Sequence, residues 1–168
     1  MEPIPAKLVD KIWQEIALYS SERATEKMLE FGKVQPDLLS FILEFTEDLD
    51  EQAGELGVYI LFVVYHIFLK GYGKKIKRVT PEEIVACYEN NERLMESLET
   101  AHVRFFERVA EVQLSPQPYV IKYVVDTLFE VPDDEDDDSN TPLSEEDMGY
   151  LFMLLKTVID VLNQKTND

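Results

Sequence analysis

Residues 56–69 read L-G-V-Y-I-L-F-V-V-Y-H-I-F-L, a run without formal charge in which only Gly57 and His66 break the large apolar series. No other stretch of the chain is apolar on every side. A helix that is apolar all round must be surrounded, by protein or by lipid. Length separates the two. Such a run rises about 21 Å as a helix, short of the ~30 Å hydrocarbon core of a bilayer. Lengthening it to about 20 residues takes in Glu55 and Lys70, charges that a membrane span disfavours. Buried strands are the other rival, because Val, Ile, Tyr and Phe suit strands. The run is long for one strand and holds no turn signal, which favours helix. It is therefore read as the buried central helix (about 48–70) of an all-α fold, a single compact helical bundle of about six helices.

The chain has 168 residues and is read as one domain, 1–168. A chain of that length can bury ~70% of its unfolded surface and needs no covalent staples. The formal charge of −18 is the unusual quantity. It argues against direct nucleic-acid binding, which needs cations to neutralise phosphates. It argues equally against an anionic membrane surface, and it suits a basic partner or plain solubility. A lone cysteine, Cys87, cannot form an internal disulfide, and the N-terminal M-E-P-I-P-A-K lacks the pattern of a secretory signal. A cytoplasmic location is expected.

Hydrophobic periodicity and capping residues predict the elements. A first helix is expected over 5–31, with Leu8, Ile12, Ile16, Tyr19, Ala24, Met28 and Phe31 at helical spacing, Trp13 at the edge of the stripe, and Gly32 to end it. Pro36 opens a second helix ending near Phe45. Asp48 with Glu51 resembles an N-cap and its N3 acid at the start of the central helix, and 71–73 ends that helix. Gly54 and Gly57 inside it suggest close packing by a neighbour or a break. Thr80-Pro81-Glu82-Glu83 is the best-marked start in the chain: N-cap, proline at N1 and capping-box Glu83, with Val79 and Ile84 at the staple positions. That helix is expected to reach about 114 in a heptad frame whose apolar seam Asn91 and Arg108 interrupt. Ser115-Pro116 opens the next helix, with Pro118 at N3. The run D-D-E-D-D-D at 133–138 makes 131–142 an acidic loop, expected to be mobile. A last helix starts at Ser144, with Leu143 and Met148 at staple positions.

Each chemical candidate has a plainer reading beside it. Asp134, Asp136, Asp138, Asn140 and Glu145 fall at positions 1, 3, 5, 7 and 12 of an EF-hand spacing. Ser139 stands where glycine is wanted, Pro142 is at position 9, and Glu145 falls in a helix start, so a solvated linker is the better reading. Glu99-x-x-His102 is half of a carboxylate di-metal site. The other histidine, His66, has Val63 three residues before it, so the second half is missing. No metal and no cofactor is expected. Cys87 has Glu82 and Glu83 nearby to oppose ionisation and reads as a core thiol. His66 reads as a hydrogen-bonded core residue.

The most informative exposed feature is basic. Lys70, Lys74, Lys75, Lys77 and Arg78 place five cations in nine residues of an acidic chain. Cations complement a helix C-terminus, and they also make a docking patch. The expected function is non-enzymatic: an acidic cytoplasmic helical protein that acts through protein–protein interaction, with this cluster as the partner-binding site and homo-oligomerisation left open. Two other functions are carried. One is a nucleic-acid mimic that occupies a DNA- or RNA-binding protein. The other is an enzyme or small-ligand bundle with a site near His66 or His102.

Overall fold

The computed structural model describes residues 2–73, 76–99, 115–129 and 144–166, and among them the secondary structure is entirely helical. The acidic segment 131–142 with its EF-hand-spaced Asp134, Asp136, Asp138 and Asn140, the staple residue Leu143, the stretch to 114 that holds His102, and Lys74 and Lys75 lie outside the described residues.

The first expected helix is two. α1 spans Ala6–Ala17 and buries Val9, Ile12 and Ile16. At its end the Leu18 and Tyr19 amides fold back to the carbonyls of Glu15 and Ile16. Ser20 then turns extended, and its hydroxyl accepts the Arg23 amide at 3.1 Å to cap α2, Ser21–Val34. The apolar stripe continued past Ala17 in sequence, but the N-cap serine is the stronger local signal. α2 is thinly attached, with Phe31 its one fully buried side chain.

Gln35 is the single hinge between α2 and α3, which spans Pro36–Phe45 with Pro36 in the first turn as expected. The 46–49 turn follows, with the Leu49 amide bonded to the Thr46 carbonyl. Asp50 stands at the N-cap position of α4, Glu51–Tyr72, without a side-chain cap bond, its carbonyl accepting the Gly54 amide at 3.1 Å. The Asp48 and Glu51 capping pair does not form, because Asp48 lies within the turn and the helix begins beyond it. Gly73, at φ +81°, ends α4 in the left-handed region that glycine tolerates. Gly57 is a close-approach position: a Cβ there would meet Leu151 Cδ2 at 3.2 Å and Ile42 Cγ2 at 3.6 Å.

α5 spans Pro81–Glu99. Its capping box forms as expected: the Thr80 amide donates to Glu83 Oε1 at 3.0 Å, and the Glu83 amide to Thr80 Oγ1 at 3.3 Å. The staple pair Val79 and Ile84 is buried beneath it. α6, Pro118–Phe129, starts two residues later than its Ser-Pro signal suggests. Ser115 Oγ accepts the Gln117 amide at 3.0 Å in a turn before the helix, so Gln117 is the cap and Pro118 the first helical residue. α7 spans Glu145–Thr166 and is capped by Ser144, whose hydroxyl accepts the Asp147 amide at 3.1 Å.

The core has two axes rather than one. In α4, Ile60, Leu61, Val63, Val64, Ile67 and Phe68 are fully enclosed. In α7, every residue from Leu151 to Ile159 is buried. α7 packs on α4, α5 and α6, while α4 also carries α1 and α3. By length and composition α4 is the one helix among the described residues that fits a membrane crossing. Ten of its residues are buried within the bundle.

Two buried glutamines join the ends of this bundle. Gln117 accepts the Ile4 amide at 3.0 Å and donates to Asn163 Oδ1 at 2.9 Å and to the Tyr72 hydroxyl. The N-terminal segment, α4, α6 and α7 thus meet at one side chain. Gln35 performs the same service at the α2–α3 hinge, described next.

Candidate functional site

The basic segment is built by the end of α4 and a clamp from Gln35. Lys70 lies exposed in the last turn of α4, where a cation complements the carbonyl end of the helix. Past Gly73, residues 76–80 run without helix. Ile76 and Val79 plug this segment into the core. The side chain of Gln35, itself fully buried, donates Nε2 to the Lys77 carbonyl at 3.1 Å and accepts the Val79 amide at Oε1 at 2.9 Å. Between those anchors Lys77 and Arg78 are exposed.

The cations are not equivalent. Arg78 donates Nε and Nη2 to Asp37 Oδ2, at 3.2 and 3.0 Å, so its charge is answered within the molecule by the first turn of α3. Lys70 and Lys77 project from fixed backbone. The clamp also brings the end of α2 to this place, because Lys33 and Val34 immediately precede Gln35 and both are exposed. Lys33 was not legible as part of the cluster, since 37 residues of sequence separate it from Lys70. Its adjacency depends on a buried glutamine that no periodicity marks.

His66 sits half-buried, one turn before Lys70. Its Nδ1–H donates to the Phe62 carbonyl at 2.8 Å, which leaves Nε2 as the acceptor of a neutral ring. The ring packs on Phe62 at 4.2 Å between centroids and edge-on to Tyr65 at 5.7 Å. Burial lowers its pKa, the Phe62 carbonyl opposes that shift, Lys27 and Lys70 add to the lowering, and Glu30 counters it. The expected hydrogen bond forms, with the ring half-buried at the edge of the core. Its partner candidate in sequence, His102, lies outside the described residues, as does the pairing with Glu99.

The core thiol reading of Cys87 also fits. The side chain is buried, and burial foremost, with help from Asp160, pushes the thiol pKa up; Lys156 and a hydrogen bond to Gln164 act the other way. Such a group is a poor thiolate source at neutral pH.

One polar constellation was not foreseen. Between antiparallel α5 and α7, Lys156 donates Nζ to Asn91 Oδ1 at 2.9 Å and to Asp160 Oδ2 at 2.8 Å. Asn91 Nδ2 reaches Thr157 Oγ1 at 3.1 Å and Asp160 Oδ2 at 3.0 Å, and the Thr157 hydroxyl donates to the Met153 carbonyl at 2.8 Å. Farther along the same interface Glu83 and Lys165 pair at 2.9 Å. The sequence hint was Asn91 interrupting an apolar seam, and its partners could not be read from that. A fully partnered buried network fixes which residues of two helices face one another. Among the described residues, every buried side-chain polar atom has at least one partner.

Among the described residues no group of three His, Cys, Asp or Glu side chains is arranged to hold a metal ion. Lys33, Lys70 and Lys77 are exposed on the basic surface. Comparison of the chain with protein-family models, with curated proteins and with solved structures finds no match in any of the three.

Proposed function

We propose that this is a non-enzymatic, acidic, cytoplasmic helical protein that acts by binding another protein through Lys70, Lys74, Lys75, Lys77 and Arg78. The observation that carries the reading is the way Lys70 and Lys77 are presented. Both cations stand on backbone held by a helix terminus, by two buried side chains and by the Gln35 clamp. A surface ordered before it meets its partner loses less conformational entropy on binding. The cluster also stands out electrically, as a positive island on a chain of net charge −18, which favours oriented encounter with a complementary surface. The single buried cysteine accords with a reducing compartment.

The test is affinity capture from the native host at low and high salt, followed by capture with Lys74, Lys75, Lys77 and Arg78 replaced by Ser. A protein partner held at low salt, released at high salt and lost on replacement supports the reading. Capture that survives the replacement would place the interface elsewhere.

A further inference from the structure

We propose that the surface shared by the last turns of α2 and α4 and the 76–80 segment docks a short acidic peptide segment of a partner, one that carries an aliphatic side chain among its carboxylates. This rests on the protein-binding reading above and names the partner's chemistry.

Three exposed lysines come from three separate parts of the chain: Lys33 from α2, Lys70 from α4 and Lys77 from the clamped segment. Gln35 holds the α2 end against residues 77–79 through two hydrogen bonds, so Lys33 and Lys77 flank one junction. Lys70 stands near the end of the same helix whose Phe62 and Tyr65 rings pack on Phe31 of α2, at 6.4 and 4.9 Å between centroids, so the last turns of α2 and α4 are neighbours. Two acids of these elements are already paired. Glu30 meets Lys27 at 3.5 Å, and Asp37 is held by Arg78 at 3.0 Å.

The surface is also apolar. Val34 is 50% exposed and Leu29 63% exposed. Leu29 and Lys33 stand four residues apart on α2, on neighbouring turns of one helix face. A cation beside an exposed aliphatic side chain matches a carboxylate beside an aliphatic residue.

Size decides between classes of anion. At physiological salt a charge is felt over roughly 8 Å. A short peptide therefore senses the island, whereas a membrane or duplex extends past it onto a surface where 34 acids outnumber 16 bases. Only a compact acidic ligand gains from the lysines without meeting that repulsion.

Fluorescence anisotropy on the full chain tests this with a short labelled peptide of Glu and Leu, the same peptide with Lys for Glu, phosphatidylserine vesicles and duplex DNA. The Glu-Leu peptide is expected to bind, more weakly as salt rises. Lys33→Glu combined with Lys77→Glu should weaken it by about tenfold or more, a loss of ~1.4 kcal/mol. Lys33→Gln and Lys77→Gln should each give a smaller loss in the same direction, with the helical circular dichroism kept. Tighter binding of vesicles or DNA, equal binding of the Lys-Leu peptide, or salt-sensitive self-association in sedimentation in place of peptide binding would overturn the proposal. So would a Lys33→Glu variant that binds the peptide as well as the parent. If the peptide fails while a partner is still captured through Lys74, Lys75, Lys77 and Arg78, the peptide chemistry is wrong and the binding reading stands. If no partner is captured either, the binding reading falls with it.

Discussion

Phe62 and His66 stand one turn apart on α4 and touch, and they show two ways in which a core residue resists substitution. Phe62 is 2% exposed and presents its ring edge-on to Phe31 of α2, at 6.4 Å between centroids. Phe62→Ala removes that contact and leaves a cavity between α2 and α4, so a loss of about 3–5 kcal/mol is expected in urea unfolding. A change under ~1 kcal/mol would show that α4 is not packed as described. His66 resists through charge. Its folded pKa lies below the ordinary value near 6.5 because burial, with Lys27 and Lys70, penalises the imidazolium. The unfolded chain therefore binds the proton first as pH falls. The penalty is absent well above 6.5, grows as pH drops from about 6.5 to the lowered folded pKa, and is constant below that. Unfolding measured from pH 8 to 5 should show this decline, and His66→Gln should flatten it. An unchanged slope in His66→Gln would assign the decline to other groups. Phe62 was legible as core because its neighbours in sequence are apolar, and the same neighbours place His66 at the edge of that core. The rings and cations that α2 brings to them were not, since that packing joins residues more than thirty positions apart.

Among elements, α7 departs furthest from its sequence. Lys156, Thr157 and Asp160 give its apolar run a polar stripe, and such a stripe ordinarily faces water. Here the stripe faces Asn91 of α5, and α7 is buried through nine consecutive residues as deeply as α4. Periodicity reports which face of a helix differs from the others, and it does not report what covers that face. The same distinction explains the other elements. Caps written locally, at Thr80 and Ser144, appear where the sequence puts them. The break at Ser20 and the late start of α6 also follow from local serine hydrogen bonds, but an uninterrupted apolar stripe and an attractive Ser-Pro pair masked them. The α5–α7 network makes a sharp prediction. Asp160→Ala strands the Lys156 ammonium, whose side chain is 9% exposed, with only Asn91 to receive it. Because Asp160 itself is 21% exposed, the loss should fall at the lower end of the ~3–5 kcal/mol seen when one member of a buried pair is removed. Combining Lys156→Met with Asp160→Ala removes both charges and should recover at least half of that loss. Additive losses in that double-mutant cycle would mean the two side chains are not coupled.

At the scale of the whole molecule, what the sequence carried was class and charge. The all-helical bundle followed from apolar spacing and capping residues, whereas the proposed docking surface draws on α2, α4 and the 76–80 segment, of which Gln35 ties the end of α2 to residues 77–79. Charge then acts on the molecule twice and with opposite sign. A net charge of −18 repels itself in the compact state. Raising NaCl from about 20 mM to about 500 mM shortens the screening length from roughly 20 Å to roughly 4 Å. The exposed pairs that salt also weakens, Arg78–Asp37, Lys122–Asp126 and Lys27–Glu30, are of a kind that contributes little. Relief of repulsion should win, and Tm should rise with salt, by about 2–4 °C for each kcal/mol of relief. Over the same range the affinity of the Glu-Leu peptide should fall, because its attraction to Lys33, Lys70 and Lys77 is screened too. The two trends separate the acidic body from the basic island in one pair of titrations. A Tm that falls with salt would mean that attractive pairs, rather than the excess of carboxylates, dominate the electrostatics of the fold.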